Sequence, residues 1–232
     1  MHLSSPRIFT VVVSTCAAGL VAPAVHADLT TTVFDNDLDA NAAIDVEAFV
    51  AEGRIGNAAT NGTFELDLGP STAAPADTDQ FAWGDGITYD FSITYDAGTD
   101  LVTFTFDTGD ILGTQTMQYT LAGDEVFTDV FIRTRTQDGA TATVSNIVID
   151  GMAAGEDSSV TGSGVEIVQI SGANLMDGFT MTGSAMFDWD GSPPINSQLA
   201  FQMKFATAVP APGALALLAC TGLAGTRRRR CG

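Results

Sequence analysis

The sequence predicts an all-β protein, an antiparallel β-sandwich of jelly-roll-like or Ig-like type, flanked by an N-terminal signal helix and a short C-terminal hydrophobic helix. Three observations carry this reading. Between residues 28 and 208 apolar and polar side chains alternate with period two, as half-buried strands require. About eleven or twelve such short segments are separated by Gly, Asp and Pro. No long segment carries an apolar stripe of period 3.6, so helix is expected to be minor.

In chain order, Arg7 precedes the apolar stretch IFTVVVSTCAAGLV, and Val25 and Ala27 are the small residues before a cut, so residues 1–27 read as a secretory signal peptide removed ahead of Asp28. There is no twin arginine, which makes general secretion the default route. Thr15 before Cys16 and the apolar residues after it do not fit a lipoprotein.

The strand segments follow: LTTTVF, IDVEAFV, GTFELDL, TMQYTLA, GVEIVQISG, GFTMTGSAMFDW and QLAFQMKF. Two further pairs read as hairpins. ITYDFSITYD (87–96) and DLVTFTFD (100–107) flank AGT, and TDVFIRTRT and ATATVSNIVID flank QDG at 137–139. The stretches 70–79 (PSTAAPADTD) and 152–159 (MAAGEDSS) read as loops. One domain over 28–208 is expected, because 160–208 alone offers only three strands and little core.

Charge and composition exclude several functions. The chain has 28 acidic and 9 basic residues, for a net charge of -19. Between 28 and 208 the only bases are Arg54, Arg133, Arg135 and Lys204, so that part carries 4 minus 28, or -24. Such a surface repels phosphate backbones, and nucleic acid is not an expected partner. His2 and His26 leave with the signal peptide, and Cys220 and Cys231 lie in the tail. Imidazole-activated nucleophiles, histidine zinc sites and internal disulfides are thereby ruled out of the exported part, and no enzymatic activity is expected.

Among the remaining constellations, DNDLDAN (35–41) alternates Asp35, Asp37, Asp39 and Asn41 as oxygen ligands do in calcium loops, on the loop after the first strand. It departs from the EF-hand at Ala40 and Val46, so calcium, the one candidate cofactor, competes with a solvated acidic turn. Trp83 and Trp189, beside Asp85 and between Asp188 and Asp190, are the candidates for stacking on a sugar ring, against the alternative that they fill the core. Arg133 and Arg135 alternate on one strand face, as local ion pairs or as a receptor for a sugar carboxylate. Asn61-Gly62-Thr63 matches a glycosylation acceptor.

The tail begins with Val209, Pro210, Ala211 and Pro212, continues through the apolar residues 213–225, and closes with Arg227, Arg228, Arg229 and Arg230. Thirteen apolar residues fall short of the roughly 20 that span a bilayer, so this is at most a marginal transmembrane helix, and the arginines orient it with the acidic domain outside. This order of parts resembles the PEP-CTERM sorting signal of bacterial exported proteins, although Ala211 stands where that family usually has glutamate. The resemblance implies transient tethering in the inner membrane and recognition by an exosortase, a membrane-embedded cysteine protease. The alternative is an ordinary C-terminal anchor.

The segments 79–106 and 171–205 are similar to the choice-of-anchor W domain, through Phe81, Trp83, Gly86, Tyr95, Gly172, Asp177, Gly178, Phe179, Gly183, Trp189, Pro194, Leu199 and Phe201. That resemblance implies an extracellular bacterial domain and carries no reaction. The expectation is therefore an exported cell-surface or extracellular-matrix protein with a structural or adhesive domain, its partners being the exosortase and extracellular polysaccharide. A carbohydrate-binding or glycan-hydrolysing domain is the alternative.

Overall fold

The structure, a computed structural model, describes residues 28–55, 64–71, 74–109, 113–123, 125–194 and 197–209. Residues 1–27, read above as a signal peptide, the Asn61-Gly62-Thr63 match and the tail from Pro210 onward lie outside the described residues, and so do the two expected flanking helices.

The described chain is mostly antiparallel β. Its elements are β1 (Thr30–Phe34), α1 (Asp37–Ala43), β2 (Ile44–Arg54), β3 (Phe64–Gly69), β4 (Asp77–Phe81), β5 (Ile87–Asp96), β6 (Leu101–Asp107), β7 (Thr114–Thr120), β8 (Asp129–Ile149), β9 (Met152–Ala153), β10 (Ser158–Ser171), β11 (Phe179–Asp188) and β12 (Ala200–Ala208). All twelve strands belong to one sheet, ordered β4-β3-β2-β12-β8-β11-β5-β6-β7, with β10 beside β8 and β1 beside β10. Its two ends come back together: the Gln118 N–H of β7 donates to the Asp77 carboxylate of β4 at 2.9 Å, so the sheet is nearly closed and barrel-like.

Where the sequence pattern suggested two stacked sheets, hydrogen bonding is continuous, and β8 and β10 are the reason. The first part of β8, from Asp129 to Arg135, pairs with β12, and Thr141 to Ile149 pairs with β11. From Asp129 to Val144 β10 runs along its other side, with a register shift at Gly162/Gly164, and β9 takes over at Val148 and Ile149. Phenylalanines from the two walls that this ribbon joins meet across the core: Phe91 with Phe201 at 6.3 Å, Phe187 with Phe201 at 5.9 Å and Phe179 with Phe205 at 5.1 Å.

The alternation that predicted strands also sets the core. In β6 every second residue, Val102, Phe104 and Phe106, is fully buried. The β5–β6 hairpin is formed as expected, closing at Asp96↔Leu101. Its turn is held by the Asp96 carboxylate, which accepts from the Gly98 N–H at 2.8 Å and the Thr99 hydroxyl at 2.9 Å.

Three local expectations are corrected. The second hairpin does not form: Gln137 to Gly139 is a bend inside one 21-residue strand, with Asp138 at φ 58° and Gly139 at φ 83°. Asp-Gly suits a tight turn, but here both arms bond the same neighbour, β10, instead of each other. The loop expected over 70–79 ends in an edge strand, β4, whose Asp77, Thr78 and Asp79 pair with Leu68, Asp67 and Leu66. Within 152–159, Met152 and Ala153 form β9, and Ser158 already opens β10.

Candidate functional site

The outer face of β3, β2, β12 and β8 is the most elaborate polar surface of the molecule, and cross-strand register builds it. One row runs Asp67, Glu52, Gln202, Arg133 across the four strands. A second row places Ala200 between Arg54 on β2 and Arg135 on β8. Lys204 on β12 occupies the same face one pleat along. All four bases between residues 28 and 208 therefore lie on one side of the sheet.

Three of the four are paired. Arg54 donates to Glu52 at 2.6 Å and also to Asp67. The Lys204 ammonium meets Glu47 at 2.9 Å. Arg133 grips Asp37 bidentately, through Nε at 2.6 Å and Nη2 at 2.8 Å, reaching across 96 residues of sequence. Gln202 donates its amide to Glu52. Glu47, Glu52, Arg54, Asp67, Gln202 and Lys204, with Val50, Pro70 and Pro75, line an open groove, and the Arg133–Asp37 pair stands beside it. Among the described residues Arg135, partly buried, makes no ion pair or side-chain hydrogen bond.

Against the same face of the sheet packs α1, the element that the sequence reading missed. DNDLDAN does not form a ligand loop. Asn36 caps a helix, its Oδ1 accepting the Asp39 N–H at 2.9 Å, while its Nδ2 donates to Asp35 at 2.8 Å and to Asp39 at 2.9 Å. Asp37 and Asp39 lie in the first turn, where carboxylates suit the helix dipole. Ala40 seals a small cluster with Phe131, Ile167 and Ala206 on the outer face of the sheet. The predicted calcium ligands are thus divided: Asp37 faces Arg133, Asp35 and Asp39 hold the cap, and Asn41 is exposed. Among the described residues no three His, Cys, Asp or Glu side chains gather as a metal-ligand group. The hydrogen-bonded guanidinium of Arg133 holds the Asp37 carboxyl below its ordinary value, against the burial that raises it.

Both tryptophans are buried, and Trp189 shows only an edge to a shallow pocket with Asp138, Asp190 and Pro194. Trp83 is 4% exposed, with ring centroids 4.4 Å from Phe187 and 5.2 Å from Phe106. Trp189 is 8% exposed and belongs to the same core, its backbone N–H donating to Asp85 at 2.9 Å. The carboxylate of Asp85 therefore ties two loops together, and Asp188 and Asp190 stand exposed on either side of Trp189. Both indoles occupy inward positions that an aromatic core of this size fills readily.

Of the residues that resemble a sorting motif only Val209 is described; Pro210, Ala211, Pro212 and Arg227 to Arg230 are outside. Val209 is half exposed just beyond β12, and its N–H donates to the Ala43 carbonyl at 2.8 Å. The chain enters at Asp28 and leaves at Val209 by the same end of the sheet: Thr30 pairs with Ser171, Ser171 with Asp129, and Asp129 with Ala206. No family model and no curated protein matches the sequence.

Proposed function

We propose that this is an exported bacterial cell-surface or extracellular-matrix protein, held transiently in the inner membrane by a PEP-CTERM-like tail that an exosortase processes. Its β domain is non-enzymatic and serves a structural or adhesive role. The observation that carries the reading is the succession Val209 to Pro212, apolar 213–225 and Arg227 to Arg230, at the opposite end of the chain from a signal peptide over 1–27. An exposed Val209 following directly on the last strand supports it, because a processing site must be reachable without unfolding the domain. The absence of histidine and cysteine from 28 to 208 supports the non-enzymatic role. In this reading the two walls joined at the β8/β10 bend are the layers of a sandwich-type architecture, jelly-roll-like or Ig-like.

The test is the intact mass of the protein from its native host, with membrane and extracellular fractions separated. A chain that starts at Asp28 and ends near Pro210 in the extracellular fraction is the expected result. A full tail retained in the membrane fraction would make the segment a plain anchor and remove the exosortase from the account.

A further inference from the structure

Three of the four bases, Arg54, Arg133 and Lys204, are paired with Asp37, Glu47, Glu52 and Asp67, and with Arg135 on the same face four positive charges stand with four negative ones. The other 24 of the 28 acids have no base of the domain left to balance them. This face is the one described surface where an anion escapes an uncompensated field of carboxylates. Of its four bases only Arg135 makes no contact ion pair or side-chain hydrogen bond among the described residues, although the Asp37 carboxylate feels its charge. Desolvating a guanidinium without an acceptor is unfavourable, so its five donors call for a partner from outside.

Arg135 is itself only partly buried, so a partner can reach it. Its neighbour on β12 is Ala200, whose side chain is a single methyl, and beyond it lies Arg54. At the usual strand spacing the two arginine Cα atoms are about 10 Å apart. Arg133, two residues away on the same face, has its Nε/Nη2 edge engaged bidentately by Asp37, so of the two arginines visible in the sequence Arg135 is the one without a bound carboxylate. On the far side of Ala200 the groove continues as Gln202, Glu52, Asp67 and Lys204, donors and acceptors of the kind that bond sugar hydroxyls.

We propose that Arg135 binds a carboxylate carried by a saccharide, a uronate unit of an extracellular polysaccharide, with the adjoining groove accepting the sugar's hydroxyls. The planar guanidinium fork matches a carboxylate in a way that an ammonium does not. Ion pairs elsewhere on the face neutralise the groove, and at physiological salt the remaining acids are screened beyond about 8 Å, so a sparse carboxylate can approach where a dense polyphosphate is repelled. This names a partner for the proposed adhesive role and rests on that role only for where the ligand is met. It is tested on purified protein, so its failure leaves the sorting reading to stand or fall by intact mass.

The experiment is calorimetric titration with a galacturonic acid trisaccharide, a neutral galactose trisaccharide and an aspartate hexapeptide. The expected result is that the uronate binds at least about tenfold more tightly than the neutral sugar. That preference should shrink between about 50 and 300 mM salt. Arg135→Gln should abolish it, and Arg135→Lys, which keeps the charge and most of the stem, should lose most of it. Thermal melts check that both variants fold, and Arg135→Lys alone decides the matter if Arg135→Gln does not. Equal affinity for both sugars, an undiminished preference in Arg135→Lys, or no uronate binding at about 10 mM would overturn the proposal. Binding of the peptide alone would overturn it in favour of a protein partner.

Discussion

Replacing Gly53 by alanine tests the packing that holds the groove face in place. Gly53 is buried on β2, directly opposite Phe201 of β12, and the Phe201 ring lies across it. A Cβ at this position would stand 2.5 Å from two Phe201 ring carbons and 2.9 Å from a ring carbon of Trp83. Carbon atoms pack at about 3.5–4.0 Å, so the ring must retreat by about 1 Å. It has little room, because Phe201 has no exposed surface and its centroid is 5.9 Å from both Trp83 and Phe187. Overpacking of this kind costs about 1–3 kcal/mol. Loss of glycine's freedom in the unfolded chain offsets about 0.4–1 kcal/mol of that. The net expectation is a destabilisation of about 1–2 kcal/mol, and in a domain of this size each kcal/mol lowers Tm by about 2–4 °C. Urea unfolding followed by tryptophan fluorescence reads this directly, since both indoles are buried. In a Phe201→Leu background the obstructing ring edge is gone, and Gly53→Ala should become neutral or stabilising, a coupling of at least about 1 kcal/mol. A Gly53→Ala protein as stable as its parent, or the same penalty in both backgrounds, would refute the argument.

Two further outcomes follow from α1. The Arg133 guanidinium makes Asp37 hold its proton less tightly in the folded protein than in the unfolded chain, so the pair stabilises at pH above the ordinary aspartate range and is lost as pH falls through the lower folded value. Asp37→Asn should therefore lower Tm at neutral pH and converge on the parent in strong acid. With 47% of the Asp37 side chain exposed, screening keeps the deficit to at most about 1 kcal/mol. A deficit that persists unchanged into strong acid, read from melts across pH, would contradict this assignment. Calcium at about 1 mM should leave Tm unchanged, because the oxygens of Asp35, Asp37 and Asp39 are engaged in the cap and the ion pair; a rise of several degrees would mean that α1 rearranges around the metal.

Much of the strand content was legible because a pleated strand exposes its periodicity directly. Val102, Phe104 and Phe106 can share an inner face only if the segment is extended. The β5–β6 turn was legible too, since its bonds lie within Asp96 to Thr99. The helix over Asp37–Ala43 was not, because seven residues are too short for a periodic signal. Its cap, read as alternating oxygens, looks the same in sequence as a ligand loop. β4 was hidden by the alanines and prolines before it and by its acidic edge character.

The sequence by itself determined the alternation that sets the inner faces of strands such as β6 and how few bases the acidic domain has to spend, because these depend on local period and on composition. Tertiary structure decided the rest. Whether Gln137-Asp138-Gly139 turns or bends depends on a partner strand with Gly162 and Gly164 at the matching place. Whether Trp83 and Trp189 stack on ligands or fill a core depends on which phenylalanines close over them. Which of two neighbouring arginines stays free depends on an aspartate 96 residues away, and no local pattern can encode a contact whose two halves meet only after the sheet has closed.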